Sequence, residues 1–501
     1  MPKKATIGTL PGAVMPEKAV KNILPEINLS EVTPSTVVVD EIVEVTQPVN
    51  TEIVPNIKAE VLPPTSGDSV EPKPEIKAEI EEKSPPTPSL TQPTPPATAG
   101  DGKEGINNNR VGIIKKPSEI VRPVYVPPVQ PQPQLEMVSG VLEILADGQG
   151  YVRPKFLPSN RDAVIASMQV RRYGLRPGDH VIGVAKAPRE SEKYWGVVRI
   201  DKINNMELSS AYNRPDFKDL TPIYPEKQIK LEFDQGTIST RIIDLFCPIG
   251  FGQRGMIVSP PKAGKTTLLK EIAAGVSANY PNVHLMAVLV GERPEEVTDM
   301  QRFIKGEVIA SHFDQKPEEQ TRAAEVAIER AKRLVELGKD VFIVFDSITR
   351  LARAYNLAIP SSGRTLSGGF DPAALYPSKK FFGAARKIEG GGSLTIIGTA
   401  LVDTGSKMDE LIFEEFKGTG NMELRLERRL AERRIFPAID IQKSGTRKDD
   451  LLLAPDILQK IGAMMRMFDT IDDKDQIGQM IIDQMKKTKS NEEFLGKVGK
   501  K

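Results

Sequence analysis

The sequence predicts three unlike parts in series: an N-terminal arm without a fold of its own, a small β-barrel, and an α/β domain built on a parallel sheet with a phosphate-binding loop. Three observations carry the prediction. Apolar strands alternate with helical stretches from about residue 236 to the end, short β-like runs fill 138–203, and more than half of the 41 prolines fall in the first 135 residues.

The arm, residues 1–135, alternates Val/Ile-Glu pairs with Pro-Thr and Pro-Pro steps, as in PEIKAEIEEKSPPTPSLTQPTPP, and Tyr125 is its only aromatic. So little apolar area cannot offset chain entropy, and prolines remove the amide donors that helix and sheet need. A disordered segment with polyproline-II stretches is expected. A tether, a partner-docking arm and an RNA-contact tail all fit this composition.

Composition narrows the function classes. Lys+Arg is 68 and Asp+Glu 67, a net charge of +1. A nucleic-acid binder held by bulk charge would be more basic, so any such site must be local. The single cysteine, Cys247, rules out an internal disulfide and reads as a small buried hydrophobe. His180, His284 and His312 are far apart and read as structural. No run approaches the roughly 18 apolar residues of a membrane span, and MPKKATIGTLPGAV lacks a signal-peptide core. A soluble, cytoplasmic protein is expected, with no membrane partner.

The runs VSGVLEILADGQGYVRP, RDAVIAS, DHVIGVAKAP and YWGVVRIDKI, broken by Gly, Pro and Asp, suggest a barrel over 137–203. Residues 204–235 read as a connector. From 236 to 501, RGMIVSPP, HLMAVLVGE, VFIVFDS and SLTIIGTALVDT read as strands. TTLLKEIAAGVSANY and the amphipathic EEQTRAAEVAIERAKRLVEL, with Gly338 as its C-cap, read as helices between them. That alternation specifies a parallel sheet covered on both faces.

The strongest chemical signal is Ser259-Pro260-Pro261-Lys262-Ala263-Gly264-Lys265-Thr266-Thr267, between the strand GMIV and the helix TTLLKEIAAG. Small residues let amides converge on phosphates, and the helix N-terminus adds partial positive charge. Lys265 is placed to reach β- and γ-phosphates, and Thr266 to hold Mg²⁺ through its hydroxyl. The usual first glycine is Ser259 here, so the motif alone leaves a chance turn open. Two strand-end acids strengthen it: Asp346 closes VFIVF, where P-loop enzymes place a Mg²⁺-associated carboxylate, and Glu292 closes MAVLVG, where a carboxylate can act as general base. Either acid alone could equally be a cap or a solvated turn residue.

PPKAGKT, GERPEEVTDMQR, FDSITRLARAYN, GGSLTIIGTALVDTGSKMDE, EEFKGTGNMELRL, AERRIFPAID and SGTRK together resemble the Rho family of bacterial transcription termination factors, from about residue 137 to the end. That family also replaces the first loop glycine and follows it with Pro-Pro. The resemblance implies a RecA-like P-loop ATPase domain behind a cold-shock-like OB-fold barrel. It implies a ring-shaped homohexamer that binds nascent RNA, hydrolyses ATP with Mg²⁺, translocates 5′ to 3′ and releases transcripts from RNA polymerase, with elongation factors as candidate accessory partners. It makes Lys265 and Thr266 the nucleotide and Mg²⁺ ligands, within a loop of Pro261, Lys262, Ala263, Gly264 and Thr267. It makes Glu292 the catalytic base with Arg293 beside it, Asp346 the Mg²⁺-associated acid and Phe436 the adenine-stacking ring. Arg447 matches an arginine finger given by the neighbouring subunit, and Arg434 a second interface arginine.

Two loops should line the hole of such a ring: PSSGRTLSGG with Arg364 and DTGSKMDE with Lys407. Charges there position RNA without reading bases. On the barrel, DGQGYVR (147–153) resembles the family's stacking strand, with Tyr151 as a base-stacking face and Arg153 as a phosphate contact. Asp162, Arg172, Glu192 and Tyr194 complete the expected surface. Gln149 and Val164 depart from the family pattern, which commonly has aromatics there, so two stacking faces are missing. A structural role for Tyr151, as a half-buried strand aromatic, also fits. The helical subdomain that usually precedes the barrel is not recognisable.

Two rival readings remain in view. A rotary ATP synthase subunit shares the core and a GER at the same strand end, but not the Pro-Pro loop or DGQGYVR. A non-hydrolysing RNA scaffold would not need Lys265, Thr266, Glu292, Asp346 and Arg447 all intact. RNA-dependent phosphate release separates the three.

Overall fold

A computed structural model of the chain describes residues 134–189, 191–234, 237–471 and 474–498. The arm expected over 1–135 lies, but for its last two residues, outside the described residues.

The first domain is built from β1 (Leu135–Ile144), β2 (Gly150–Arg153), β3 (Ala163–Ile165), β4 (His180–Lys186), β5 (Trp195–Ile203) and the two-residue β6 (Met206–Glu207). They are ordered β3-β2-β1-β4-β5-β6, and a parallel β3–β5 pairing closes the sheet into a barrel. Strand alternation explains the closure: in β4, Val181, Gly183 and Ala185 turn inward while their neighbours stay half-exposed. Leu142, Val152, Ile165, Ile200 and Ile203 fill the interior. Burying each such side chain contributes about 1.5–3 kcal/mol. The connector expected from residue 204 starts later in the structure, because β6 pairs with β5 and the helix Leu208–Tyr212 packs beside them.

The second domain holds β7 (Pro222–Ile223), β8 (Arg254–Ser259), β9 (His284–Glu292), β10 (Glu307–His312), β11 (Asp340–Asp346), β12 (Arg386–Ile388), β13 (Ser393–Leu401), β14 (Met422–Leu426) and β15 (Ile439–Thr446). The main path runs β10-β9-β11-β13-β8-β14-β15, parallel as far as β14, with β15 antiparallel at the edge. These strands read as continuous apolar runs because helices cover both faces. In β11, Phe342 and Val344 enter one core, and Val341, Ile343 and Phe345 the other. Cys247 lies fully inside the first core, where burial pushes its thiol pKa up and keeps it protonated.

The barrel sits on the helix Pro317–Glu336 through a buried polar junction. Asp179 takes both terminal nitrogens of Arg214, and Asn204 Nδ2 donates to Asp179 Oδ1 (2.7 Å). Arg330 of the helix donates to Asn204 Oδ1 (3.2 Å), and the Phe217 amide to Glu336 Oε1 (2.8 Å). Groups so far from water must be mutually satisfied, which fixes the junction geometry.

Candidate nucleotide site and RNA face

The four central strands end on one edge of the sheet, and the loop after β8 rises there. Gly264 takes φ 92° as the N-cap of the helix Lys265–Asn279, a left-handed turn that favours glycine. No side chain caps that helix, so its first amides point outward unsatisfied, as an anion site requires. The helix is held by Leu268, Leu269, Ile272 and Val276, which are buried in the core below.

Lys265 Nζ donates to Asp346 Oδ1 (2.7 Å) and to Glu292 Oε1 (3.0 Å), joining the ends of β11 and β9 to the loop. Burial works against the ammonium, but the two carboxylates outweigh it and hold the Lys265 pKa above its ordinary value. Burial raises the Glu292 pKa, the Asp346 charge adds to the rise, and Lys265 and Arg350 oppose it. Thr399 of the adjacent β13 donates to Asp346 Oδ1 (2.6 Å), which fixes that acid from the other side. Thr266 Oγ1 donates to Glu296 Oε2 (3.1 Å).

Phe436, half exposed, stands over the loop: a side chain starting at Gly264 would meet its ring at 3.7 Å. Between them lies a cleft of about 560 Å³, lined also by Lys262, Ala263, Thr267 and Pro437. Flat ring, unsatisfied amides and a lysine at the loop's end suit a nucleotide's base and phosphates. The oxygen donors around Thr266 suit a Mg²⁺ that keeps phosphate and water ligands. Arg293 is exposed beside Glu296 (3.7 Å), and Arg434 lies exposed in the same β14–β15 connection as Phe436.

Arg447 falls elsewhere. It follows β15, whose Thr446 pairs with Met422 of β14, and Met422 with Gly255 near the start of β8. The loop leaves β8 after Ser259, four residues or about 13 Å further along the strand at roughly 3.3 Å per residue. Arg447 is therefore near the opposite edge of the sheet from its own Lys265, and exposed.

Arg350 is a contributor that sequence reasoning missed: its Nε lies 3.0 Å from Glu292 Oε1. It sits four residues after Asp346 on a helix that starts at that strand end, a spacing that was readable as one turn back toward the site. Glu296 and Thr399 were missed too, and only the pairing of neighbouring strands brings Thr399 close.

Of the two expected hole-lining loops, Arg364 lies on an exposed loop anchored by Ser362 to Asp371 (2.7 Å). Lys407 is the first residue of the helix Lys407–Lys417 instead of a loop residue, since Asp409 and Glu410 complement that helix's N-terminus. The two segments touch: a side chain starting at Gly368 would meet the Met408 amide at 2.5 Å.

On the barrel, Tyr151 and Tyr194 meet edge to face with ring centres 5.7 Å apart. Val164 pairs with Tyr151 and with Gly196, so it shares their surface. Arg172 and Glu192 are exposed. Arg153 departs from expectation. It is 4% exposed, its guanidinium 5.2 Å from the Tyr151 ring centre and ion-paired to Glu143 and Asp162. Asp162 is fully buried and also takes the Ser159 hydroxyl (2.8 Å). A cation whose nitrogens already face two carboxylates is not the free phosphate contact expected from the sequence.

Residues 138–209 match the model of the Rho termination factor RNA-binding domain, and residues 239–446 that of the ATP synthase alpha/beta family nucleotide-binding domain. Transcription termination factor Rho of Bacillus subtilis is 54% identical over 366 residues, which are 73% of this chain and 85% of that protein. Rho of Streptomyces lividans is 55% identical over 381 residues, 75% of this chain but 54% of that protein. Rho of Borreliella burgdorferi is 51% identical over 397 residues, covering 78% and 76%. The match thus spans about half of the Streptomyces relative and most of the other two. A barrel and a P-loop domain in this order, aligned with most of the Bacillus and Borreliella proteins, place the chain in the Rho family of transcription termination factors.

Proposed function

We propose that the protein is an RNA-activated ATPase that works as a homohexameric ring in the cytoplasm, moves along nascent RNA and releases transcripts from RNA polymerase. The observation that carries the reading is Lys265 bridged to Asp346 and Glu292 at the carboxyl edge of the sheet, in a chain whose other domain matches an RNA-binding barrel. The proposed domain limits are 135–212 for the barrel and about 237 onward for the motor, which the order of strands and helices supports.

In this mechanism the β- and γ-phosphates take Lys265 from its two carboxylates. Glu292 then loses one of the cations that keep it ionised, which raises its proton affinity when a base is needed. It accepts a proton from the attacking water as that water's oxygen bonds to the γ-phosphorus and the bond to the bridging oxygen breaks, releasing ADP and phosphate. Arg350 keeps the Glu292 carboxylate in place through the exchange. Thr266, with Asp346 behind it, would hold a Mg²⁺, which would supply positive charge against the phosphate oxygens. Phe436 stacks on adenine. Arg447, far from its own loop, reaches a neighbour's γ-phosphate, with Arg434 at the same interface. Tyr151, Tyr194, Arg172 and Glu192 form the RNA face, and Arg364 and Lys407 meet the strand in the ring's hole.

Phosphate release with and without poly(C) tests the reading. Hydrolysis that rises only when RNA is present supports it, whereas RNA-independent hydrolysis would fit a rotary-type motor and no hydrolysis a scaffold.

A further inference from the structure

Glu143 sits at a crossing between the two domains. It lies on β1 directly opposite Tyr151 of β2. One carboxylate oxygen pairs with Arg153, beneath the Tyr151 ring, and the other lies 3.2 Å from Arg322 Nε on the helix Pro317–Glu336 of the motor. The Glu143 side chain is 15% exposed, so its charge is balanced by these two guanidinium groups more than by water. The same helix reaches the nucleotide site two residues earlier: Gln320 Oε1 lies 2.9 Å from where a side chain at Gly291 would begin, next to Glu292. Beside Glu143 a cavity of about 380 Å³ separates barrel from motor, lined by Ile144, Pro177, Val326 and Phe381 among others. The junction is therefore pinned at Asp179 and loosely packed at Glu143.

We infer that Glu143 and Arg322 are positioning residues that couple RNA on the barrel's tyrosine face to Glu292 in the nucleotide site. The inference rests on the reading of the barrel as the RNA face and of Glu292 as base. A base stacking on Tyr151 presses on the Arg153 guanidinium beneath that ring and loosens the Arg153–Glu143 pair. A poorly hydrated carboxylate that loses one partner must be compensated by the other. RNA thereby draws Arg322, and the helix that carries it, toward the barrel, with the cavity giving room. That displacement is delivered at Gln320 against Gly291. Coupling of this kind is reciprocal, so a nucleotide in the motor changes RNA affinity at the barrel by the same factor.

Arg322→Gln in the full chain isolates the link, because it leaves Glu143, Arg153 and the aromatic face unchanged. Arg322 is 37% exposed, so the substitution leaves the core intact. In the parent protein, a short oligo(C) added at barrel-saturating concentration should lower the concentration of a second, hole-binding RNA that half-activates hydrolysis. In Arg322→Gln this shift should shrink about fivefold or more, the lower range of allosteric coupling, with the dissociation constant of oligo(C) within twofold of the parent's. Arg322→Lys, which restores a cation, should recover part of the shift, and the remaining coupling should weaken with added salt. In a binding assay without turnover, a non-hydrolysable ATP analogue should change oligo(C) affinity in the parent but not in Arg322→Gln. An unchanged shift in Arg322→Gln overturns the inference, as does recovery by Lys no better than by Gln. Failure of oligo(C) to bind the parent barrel at all would instead overturn the reading of the RNA face.

Discussion

At the scale of single residues, Lys265 has two partners waiting and one ligand to trade them for. Lys265→Ala leaves Glu292 and Asp346 as adjoining acids without their cation. Turnover is expected to vanish, while oligo(C) binding to the distant barrel stays within error. Equal loss of RNA binding would mean the two sites had been separated wrongly. Glu292 also predicts a pH limb. Its folded pKa is raised by burial, so at a given pH more of it is protonated than an ordinary glutamate. A protonated base cannot accept the water's proton, so hydrolysis should fall on the acid side, with a midpoint above the roughly 4.3 of a free glutamate. Lys265, raised as well, stays charged on the alkaline side. An RNA-saturated pH–rate profile flat down to that ordinary value would contradict the assignment. Loop, lysine and strand-end acids were legible together though none of them alone, and the structure brings Lys265, Glu292 and Asp346 into contact. Arg153 was not legible, since nothing in DGQGYVR says that the carboxylate of Glu143, ten residues earlier, reaches its guanidinium from β1.

At the scale of elements, strand order decides which motifs become neighbours. β9, β11, β13 and β8 stand side by side although their sequence order differs, and that shuffling alone brings Thr399 to Asp346. Periodicity foretold the strands but could not foretell their order. The stacking role of DGQGYVR is what the family resemblance implies, and one substitution tests the face that strand offers. Gln149 precedes β2 by one residue and is two before Tyr151, hence on the same side of the strand. Gln149→Phe should tighten oligo(C) binding by about 1–3 kcal/mol if the added ring stacks. An unaltered titration curve would place position 149 away from RNA. Lys407 shows the limit of reading loops from composition: DTGSKMDE looks like a loop, yet its acidic pair starts a helix under the lysine.

At the scale of the whole molecule, each chain carries its loop near one edge of the sheet and Arg447 near the other. Glu292→Gln and Arg447→Ala should each be inactive alone. Co-assembled, the first lends its arginine to the second's intact base, and a single-turnover burst of phosphate is expected from the mixture and from neither parent. No burst, with subunit exchange confirmed, would put the finger in cis. On the proposed trans assignment every chain has a donor edge and an acceptor edge, and the contact between them is heterologous. Counting then separates a closed ring from an open one. A closed ring has as many complete pockets as subunits, while an arc has one fewer, with a bare arginine at one tip and an unassisted pocket at the other. Closing the last gap adds a single active site, at the seam where a strand of RNA would have to slip in. The pocket at that seam would be the last to fire and the first to fall silent when the ring reopens.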